Sequence, residues 1–370
     1  MTNLEQQLNT PNLQSLETEF ALSKAEMEEF RRLPKEEQEK QKNEKLEKLK
    51  NLQVKLDEMV QEAIQTGKLG EAKKLKEQLE KEIGNLEEII YIGESLSIDF
   101  AREIMEKNEK GRFFGPEEIR KALAIDIKEV PPIPFKQEEL ERAESLNQQL
   151  VLYTDKTHDD LPLTIVKMNE MVNGQTTDGG KLLYGSNGKT LKSDCWYKNE
   201  DFATKQTPVF GWRLTNKTEL TDSTDSTLES KSKNYLEQTE VIIKYLKEKV
   251  FATLPIPLEF QSAIDEFERQ KADIAKLIST DWEKASDMLE KLAIIRLTRE
   301  SPVEAIYRLI LTERGTKEKL LPVNYVWTSG RSSDGDFVYV GNADSGGVHV
   351  NGNGPGCRSG NLGASFSRSV

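Results

Sequence analysis

From Ser329 to Val370 the chain contains no Lys, Glu, Gln, Met, Trp, Thr or Ile, although Lys, Glu and Leu dominate everything upstream. The residues kept there are mainly Gly, Ser, Asn, Asp, Val and Arg, with single Tyr339, His349 and Cys357. Without long helix formers, and with glycine every few positions, such a segment cannot sustain helices. It has to fold as short strands joined by tight turns. The β-favouring runs are Tyr325-Val326-Trp327, Phe337 to Val340, Gly347 to Val350 and Leu362 to Phe366. Small, turn-forming side chains capable of short hydrogen bonds are also the chemistry of an adaptable binding surface.

The 370 residues allow two or three domains. A net charge of -12 and a pI near 5.1 disfavour nucleic acid as the main partner, because phosphate neutralisation requires clustered Lys and Arg. Lysine-rich pieces such as Lys40 to Lys50 are interleaved with Glu and read as solvated helix faces. A mean hydropathy of -0.64 reflects the charged first third. Met1 to Thr10 is polar, so no signal peptide is expected. No run approaches the ~20 apolar residues of a membrane helix, and no membrane span is expected. Only Cys195 and Cys357 are present, and a reduced, cytoplasmic protein is the expectation.

The fold class expected is α+β. Residues 13 to about 90 read as helix. Leu49, Leu52, Leu56, Met59 and Ala63 follow coiled-coil spacing, and Ala72, Leu75, Leu79, Ile83, Leu86 and Ile90 draw a second stripe after Gly67 and Gly70. An antiparallel helical hairpin results, with self-association through the second stripe as a further use. Shorter helices follow from Ser95 to Lys128, one beginning at Gly115-Pro116-Glu117-Glu118. Pro131, Pro132 and Pro134 form a stiff connector with Ile133 and Phe135 as anchors, and the domain boundary is placed there: 1–130 helical, 131–135 connector, 136–370 a second domain. Within the second domain Gln137 to Gln149 reads as helix, Leu150 to Tyr153 as strand and Leu163 to Val172 as helix. Cys195-Trp196-Tyr197 and Thr207 to Leu214 read as β-favouring. Helices return from Leu228 to Arg314.

Catalytic chemistry has few candidates. The only histidines are His158 and His349. A Cys357–His349 pair lacks identifiable orienting and oxyanion groups. Cys and His are nowhere clustered at zinc spacing. Gly174 to Lys181 approximates a phosphate loop, but the Lys is shifted by one place and Leu182 stands where Ser or Thr would meet magnesium, so a polar turn is expected. Gly352, Gly354 and Gly356 precede no helix. Asp334 and Asp336 lack the downstream Glu of a calcium loop. No metal, no cofactor and no enzymatic activity are expected.

Three stretches of the second half resemble the variable proteins of diversity-generating retroelements, whose domains have a C-type lectin fold related to formylglycine-generating enzymes. The first is Pro131-Pro132-Ile133-Pro134-Phe135 followed by Glu138-Glu139-Leu140-Glu141-Arg142-Ala143. The second is Trp196 to Phe202 with Thr207-Pro208 and Gly211-Trp212, similar to early strands of that domain. The third is Trp327-Thr328-Ser329, Arg331 to Gly335 and the closing Leu362-Gly363-Ala364-Ser365-Phe366-Ser367-Arg368, similar to the frame of its terminal variable region. The resemblance covers residues 130 to 370 and implies a C-type lectin-like domain with a helical insertion at about 227–318 and a variable region at about 329–370.

The resemblance also accounts for the composition. In such systems template adenines are miscopied, and changing both adenines of an AAC codon never yields Lys, Glu, Gln, Met or Trp, five of the types the tail lacks. Such a surface needs a buried frame, for which Trp327, Phe337, Val338, Val340, Val348, Leu362 and Phe366 are the candidates, with Gly341 and Gly363 at turns. Outward positions can then vary at little cost. The ligand-binding candidates are Tyr339, Asn342, Asp344, His349, Asn351, Asn353, Cys357, Arg358, Ser359 and Asn361, with Tyr339, His349 and Arg358 as anchors. The function implied is non-enzymatic binding of a protein or other macromolecule. The alternatives are a formylglycine-generating oxidoreductase, for which no matched cysteine pair is visible, and a structural protein acting through its helices.

Overall fold

The computed structural model describes residues 96–107, 112–224 and 232–369, plus three isolated helical positions at 37, 40 and 44. Apart from those three, the expected N-terminal hairpin and its self-association lie outside the described residues. The chain divides into two compact units, Met1–Ser95 and Leu96–Val370.

That division corrects the expected boundary at 131–135. Ile133 and Phe135 are buried in the same core as Phe113, Ile119 and Leu140. Leu96 bridges to Ile133, and the Trp212 indole donates to the Pro131 carbonyl at 2.9 Å. The prolines keep the segment extended, but the apolar residues between them bury it, so it belongs inside the domain.

The second unit is α+β. In chain order its elements are α1 (Ile98–Met105), β1 (Phe113–Phe114), α2 (Pro116–Leu123), α3 (Gln137–Ser145), β2 (Gln148–Tyr153), α4 (Ile165–Met171), β3 (Ser186–Asn187), β4 (Thr190–Leu191), α5 (Asp201–Thr204) and β5 (Gly211–Asn216). Next come α6 (Tyr235–Tyr245), α7 (Leu258–Thr280), α8 (Trp282–Lys291), α9 (Ala293–Thr298) and α10 (Pro302–Thr316). The tail supplies β6 (Tyr325–Arg331), β7 (Phe337–Asp344), β8 (Gly347–Asn353), β9 (Leu362–Ala364) and β10 (Ser367–Arg368).

Local chemistry explains several starts. Pro116 occupies the first turn of α2, and the Glu118 carboxylate accepts from the Gly115 N–H at 2.9 Å. Ser301 and Glu304 form a capping box around Pro302 at the head of α10, and Asn234 with Glu237 does the same for α6. Two expectations shift. Gln148 and Gln149 belong to β2, because Leu146 ends α3 and the pairing with β5 extends back to Gln148↔Asn216. Trp196–Asn199 is a 3-10 turn and not a strand; its aromatic content serves packing, with Tyr197 buried against Phe202.

Two four-stranded sheets organise the domain, in the orders β1-β2-β5-β10 and β8-β7-β6-β9. The last strand of the chain returns to the first sheet, where Ser367 and Arg368 pair with Thr215 and Leu214. Helix α10 is buried on nearly every side, a pattern that suits an internal helix. Its Tyr307 donates to the Leu152 carbonyl of β2 at 3.0 Å. Arg308 grips Glu300 through two hydrogen bonds of 2.8 Å, and the Tyr153 hydroxyl donates to the same carboxylate at 2.7 Å. The described helices between 235 and 316 therefore act as braces. Those of the second core, with Tyr235, Ile242, Phe267 and Leu289, pack against Trp327, Phe337, Leu362 and Phe366 of the tail.

Candidate surface on the terminal sheet

Alternation along β6, β7 and β8 sorts their side chains onto two faces. One face carries Val326, Val338, Val340, Val348 and Val350, all buried in the core that also contains α10. The opposite face is covered over only part of its area. Trp327, Phe337, Leu362 and Ala364 lie under the helices, where Tyr235 stacks on Phe337 at 4.0 Å and meets Trp327 edge-on at 5.4 Å. All seven candidate frame residues are buried.

The rest of this face is reachable by solvent. The register aligns Trp327, Tyr339 and Asn351 in one row and Tyr325, Gly341 and His349 in the next. Tyr325 meets Tyr339 edge-on at 5.2 Å, and His349 stacks on Tyr184 at 4.2 Å. Asn342 and Asn351 hydrogen-bond to the Tyr325 side chain and oppose the upward shift that burial imposes on its hydroxyl. Asp344 Oδ1 lies 3.7 Å from His349 Nε2 and accepts from the Gly346 N–H at 2.7 Å, holding the β7–β8 turn. Burial pushes the Tyr339 hydroxyl up to about 12, and the nearby Cys357, Tyr325 and Asp336 add to the shift. Burial likewise raises Cys357, with Asp336 contributing.

Two backbone features shape the site. Gly341 has φ +154, and a Cβ there would fall 2.2 Å from the Asn324 carbonyl oxygen, so this position excludes side chains. Its neighbour Asn342 has φ +46, a left-handed conformation that Asn tolerates better than most residues. Gly363, expected at a turn, instead lies within β9.

The ten candidate residues therefore divide. Tyr339, Asn342, Asp344, His349 and Asn351 gather around Tyr325, with Cys357 beside Tyr339. Asn353 sits opposite Phe337 at the end of β8, with its side chain accepting from the Gly354 N–H at 3.0 Å. Arg358 is not a free anchor: it donates to Glu237 at 2.5 Å and to the Ser232 carbonyl at 2.6 Å, clamping the tail to the head of α6. Ser359 donates to Asn361 at 2.6 Å, and Asn361 turns away to the Val323 carbonyl at 3.4 Å. The last three hold the crossover into β9 and lie apart from the aromatic group.

Several residues on this face or at the border of the sheet were not among the candidates. Tyr325 was legible, since period two places it on the same face as Trp327. Tyr184 and Trp196 come from outside the tail and arrive by covering the edge of β8. The Tyr184 N–H donates to the Val348 carbonyl at 2.9 Å, and the Trp196 indole donates to the Val350 carbonyl at 2.9 Å. Trp282, the first residue of α8, packs 3.3 Å from where a Cβ on Gly354 would sit. Both tryptophans and Tyr184 remain exposed.

The other features with suggested chemistry resolve as structure. Gly174 to Lys181 is a turn in which the Thr176 N–H donates to the Gly180 carbonyl at 2.9 Å and Gln175 bridges Lys181. Both cysteines are free. Cys195 packs on the first core and Cys357 on the second, and burial raises both thiols. Among the described residues no helix is long and apolar enough to cross a membrane, and no cluster of His, Cys, Asp and Glu could hold a metal. No family model matches the chain, and no curated protein or solved structure matches it.

Proposed function

We propose that this is a non-enzymatic ligand-binding protein of the diversity-generating retroelement kind, in which a C-type lectin-like domain displays a diversified surface on its terminal strands. The observation that carries this reading is the division within one hairpin. In β7 and β8 the residues proposed as frame are buried, while Tyr339, His349 and Asn351 share an accessible face. A face built that way can change its side chains without reopening the core. The composition of the tail, free of the five residue types that AAC miscopying cannot produce, supports the same reading.

The test is to exchange Tyr339, His349 and Asn351 together for other residues reachable from AAC, and to compare pull-downs and melting temperatures. Captured partners are expected to change while the melting temperature stays within a few degrees. Unfolding on such exchanges would overturn the reading. A non-coding repeat beside the gene, differing from the tail only at adenines and accompanied by a reverse transcriptase, is the genomic counterpart.

A further inference from the structure

Away from the open face of the terminal sheet, a cleft of about 650 Å³ lies between the end of α3, the segment that follows β5 and one face of α6. Its volume falls in the range of small-molecule sites, about 300–1,000 Å³. Val241, Lys244, Tyr245, Glu248 and Lys249 recur at helical spacing and line it together. Beyond Tyr245 the helix runs on as a π-helical turn over Leu246–Val250. Arg142 Nε donates to the Lys249 carbonyl at 2.6 Å and pins that turn to α3. Such turns are rare and recur at functional sites.

Asn216, the last residue of β5 and 8% exposed, supplies a polar floor. Its Oδ1 accepts from Gln148 Nε2 at 2.9 Å and from the Tyr245 hydroxyl at 3.3 Å. Its Nδ2 finds no acceptor among the described residues. A buried amide donor without a partner is costly, and an acceptor atom entering the cleft relieves that cost. Leu146, Val241 and Leu220 add aliphatic wall. Of the lining charges, Lys217 is paired with Glu318, and Glu219 accepts from Asn324. Among the described residues Lys244 and Lys249 have no carboxylate partner, and the Glu248 and Asp222 carboxylates have no cation. Free charges of both signs, around an amide donor and an aliphatic wall, complement a molecule that itself carries both signs. A wholly anionic ligand such as a nucleotide would be repelled by Glu248 and Asp222.

We propose that this cleft binds a small zwitterion, a free aliphatic α-amino acid. Its carboxylate meets Asn216 Nδ2 and the Lys244 and Lys249 ammonium groups, its ammonium group meets Glu248 or Asp222, and its side chain lies on Leu146 and Val241. The site is separate from the diversified surface proposed above and does not depend on that reading. Its floor is tied to the closing strands, because the Asn216 N–H donates to the Phe366 carbonyl and the Leu220 N–H to the Ala364 carbonyl, each at 2.8 Å.

Isothermal titration calorimetry of the full chain tests the site with free L-leucine, with 4-methylpentanoate, which lacks the ammonium group, and with isoamylamine, which lacks the carboxylate. Saturable binding of leucine is expected, with each single-charge analogue weaker by about tenfold or more. Bound leucine should also slow amide exchange at 216–222 and 364–366. Replacing Lys244 and Lys249 together by Ala should weaken leucine about tenfold, and Asn216→Asp, which removes the floor donor, at least as much. If Asn216→Asp fails to fold, the lysine pair, both exposed, carries the test. Absence of saturable leucine binding, or 4-methylpentanoate binding as tightly as leucine, overturns the proposal. Leucine binding that both sets of substitutions leave unchanged overturns it too. None of these outcomes bears on partner switching by tail exchanges.

Discussion

The two faces of the sheet β8-β7-β6-β9 come from the same strands and meet opposite demands. One is a valine surface closed by α10 and the first core. The other is aromatic and polar, closed by the second core where Trp327 and Phe337 lie, and open where Tyr325, Tyr339, His349 and Asn351 lie. Stability is concentrated where branched and aromatic carbon is removed from water, and variation is tolerated where it is not. A single hairpin thus separates holding a shape from presenting one, by side-chain parity together with partial cover from the second core.

The comparison is broken most severely from below. The Glu300–Arg308 pair pins α10 beneath the closed face and is almost wholly buried. Glu300→Ala strands the guanidinium without its counter-charge and is expected to cost about 3–5 kcal/mol in urea unfolding. On the valine face itself, Val340→Ala removes two buried methyl groups and is expected to cost about 2 kcal/mol by the same measurement. Arg358→Ala breaks a partly exposed clamp and should cost about 1 kcal/mol or less, with a loosened 354–361 crossover seen as faster amide exchange. Smallest is the effect on the open face: His349→Asn and Asn351→Ser are each expected to stay within about 0.5 kcal/mol.

Alkali sharpens the contrast. Tyr339 is an acid whose folded value, about 12, lies above its unfolded value of about 10, so the fold favours its protonated form. Its contribution is complete below pH 10 and is lost as pH rises from about 10 through 12. Tyr339→Phe is expected to flatten that part of a stability-against-pH profile. A profile unchanged by the substitution would place the loss in the wholly buried tyrosines such as Tyr235.

Much of the scaffold was legible. Period two in Tyr325 to Trp327 and in Phe337 to Val340 located the strands and the buried frame, and the Gly115-Pro116-Glu117-Glu118 start marked α2. The misplaced features share a cause. Pro131 to Phe135 looked like a linker because proline stiffness is local information, whereas the burial of this segment depends on distant partners such as Leu96, Trp212 and Arg368. Arg358 looked like an anchor because its partner, Glu237, lies 121 positions away. Nothing local marked where Tyr184, Trp196 and Trp282 end up, since each docks on an edge or turn made elsewhere in the chain.

What the amino-acid order determined alone is what short-range physics controls: strand parity, helix starts, the glycine at 341, and a tail too poor in helix formers to be anything but strands and turns. Only the tertiary structure decided which face of those strands stayed open, and which distant aromatic and charged groups border it. The reason is that coverage is a property of contacts between segments, and contacts across a hundred residues leave no trace in any local pattern.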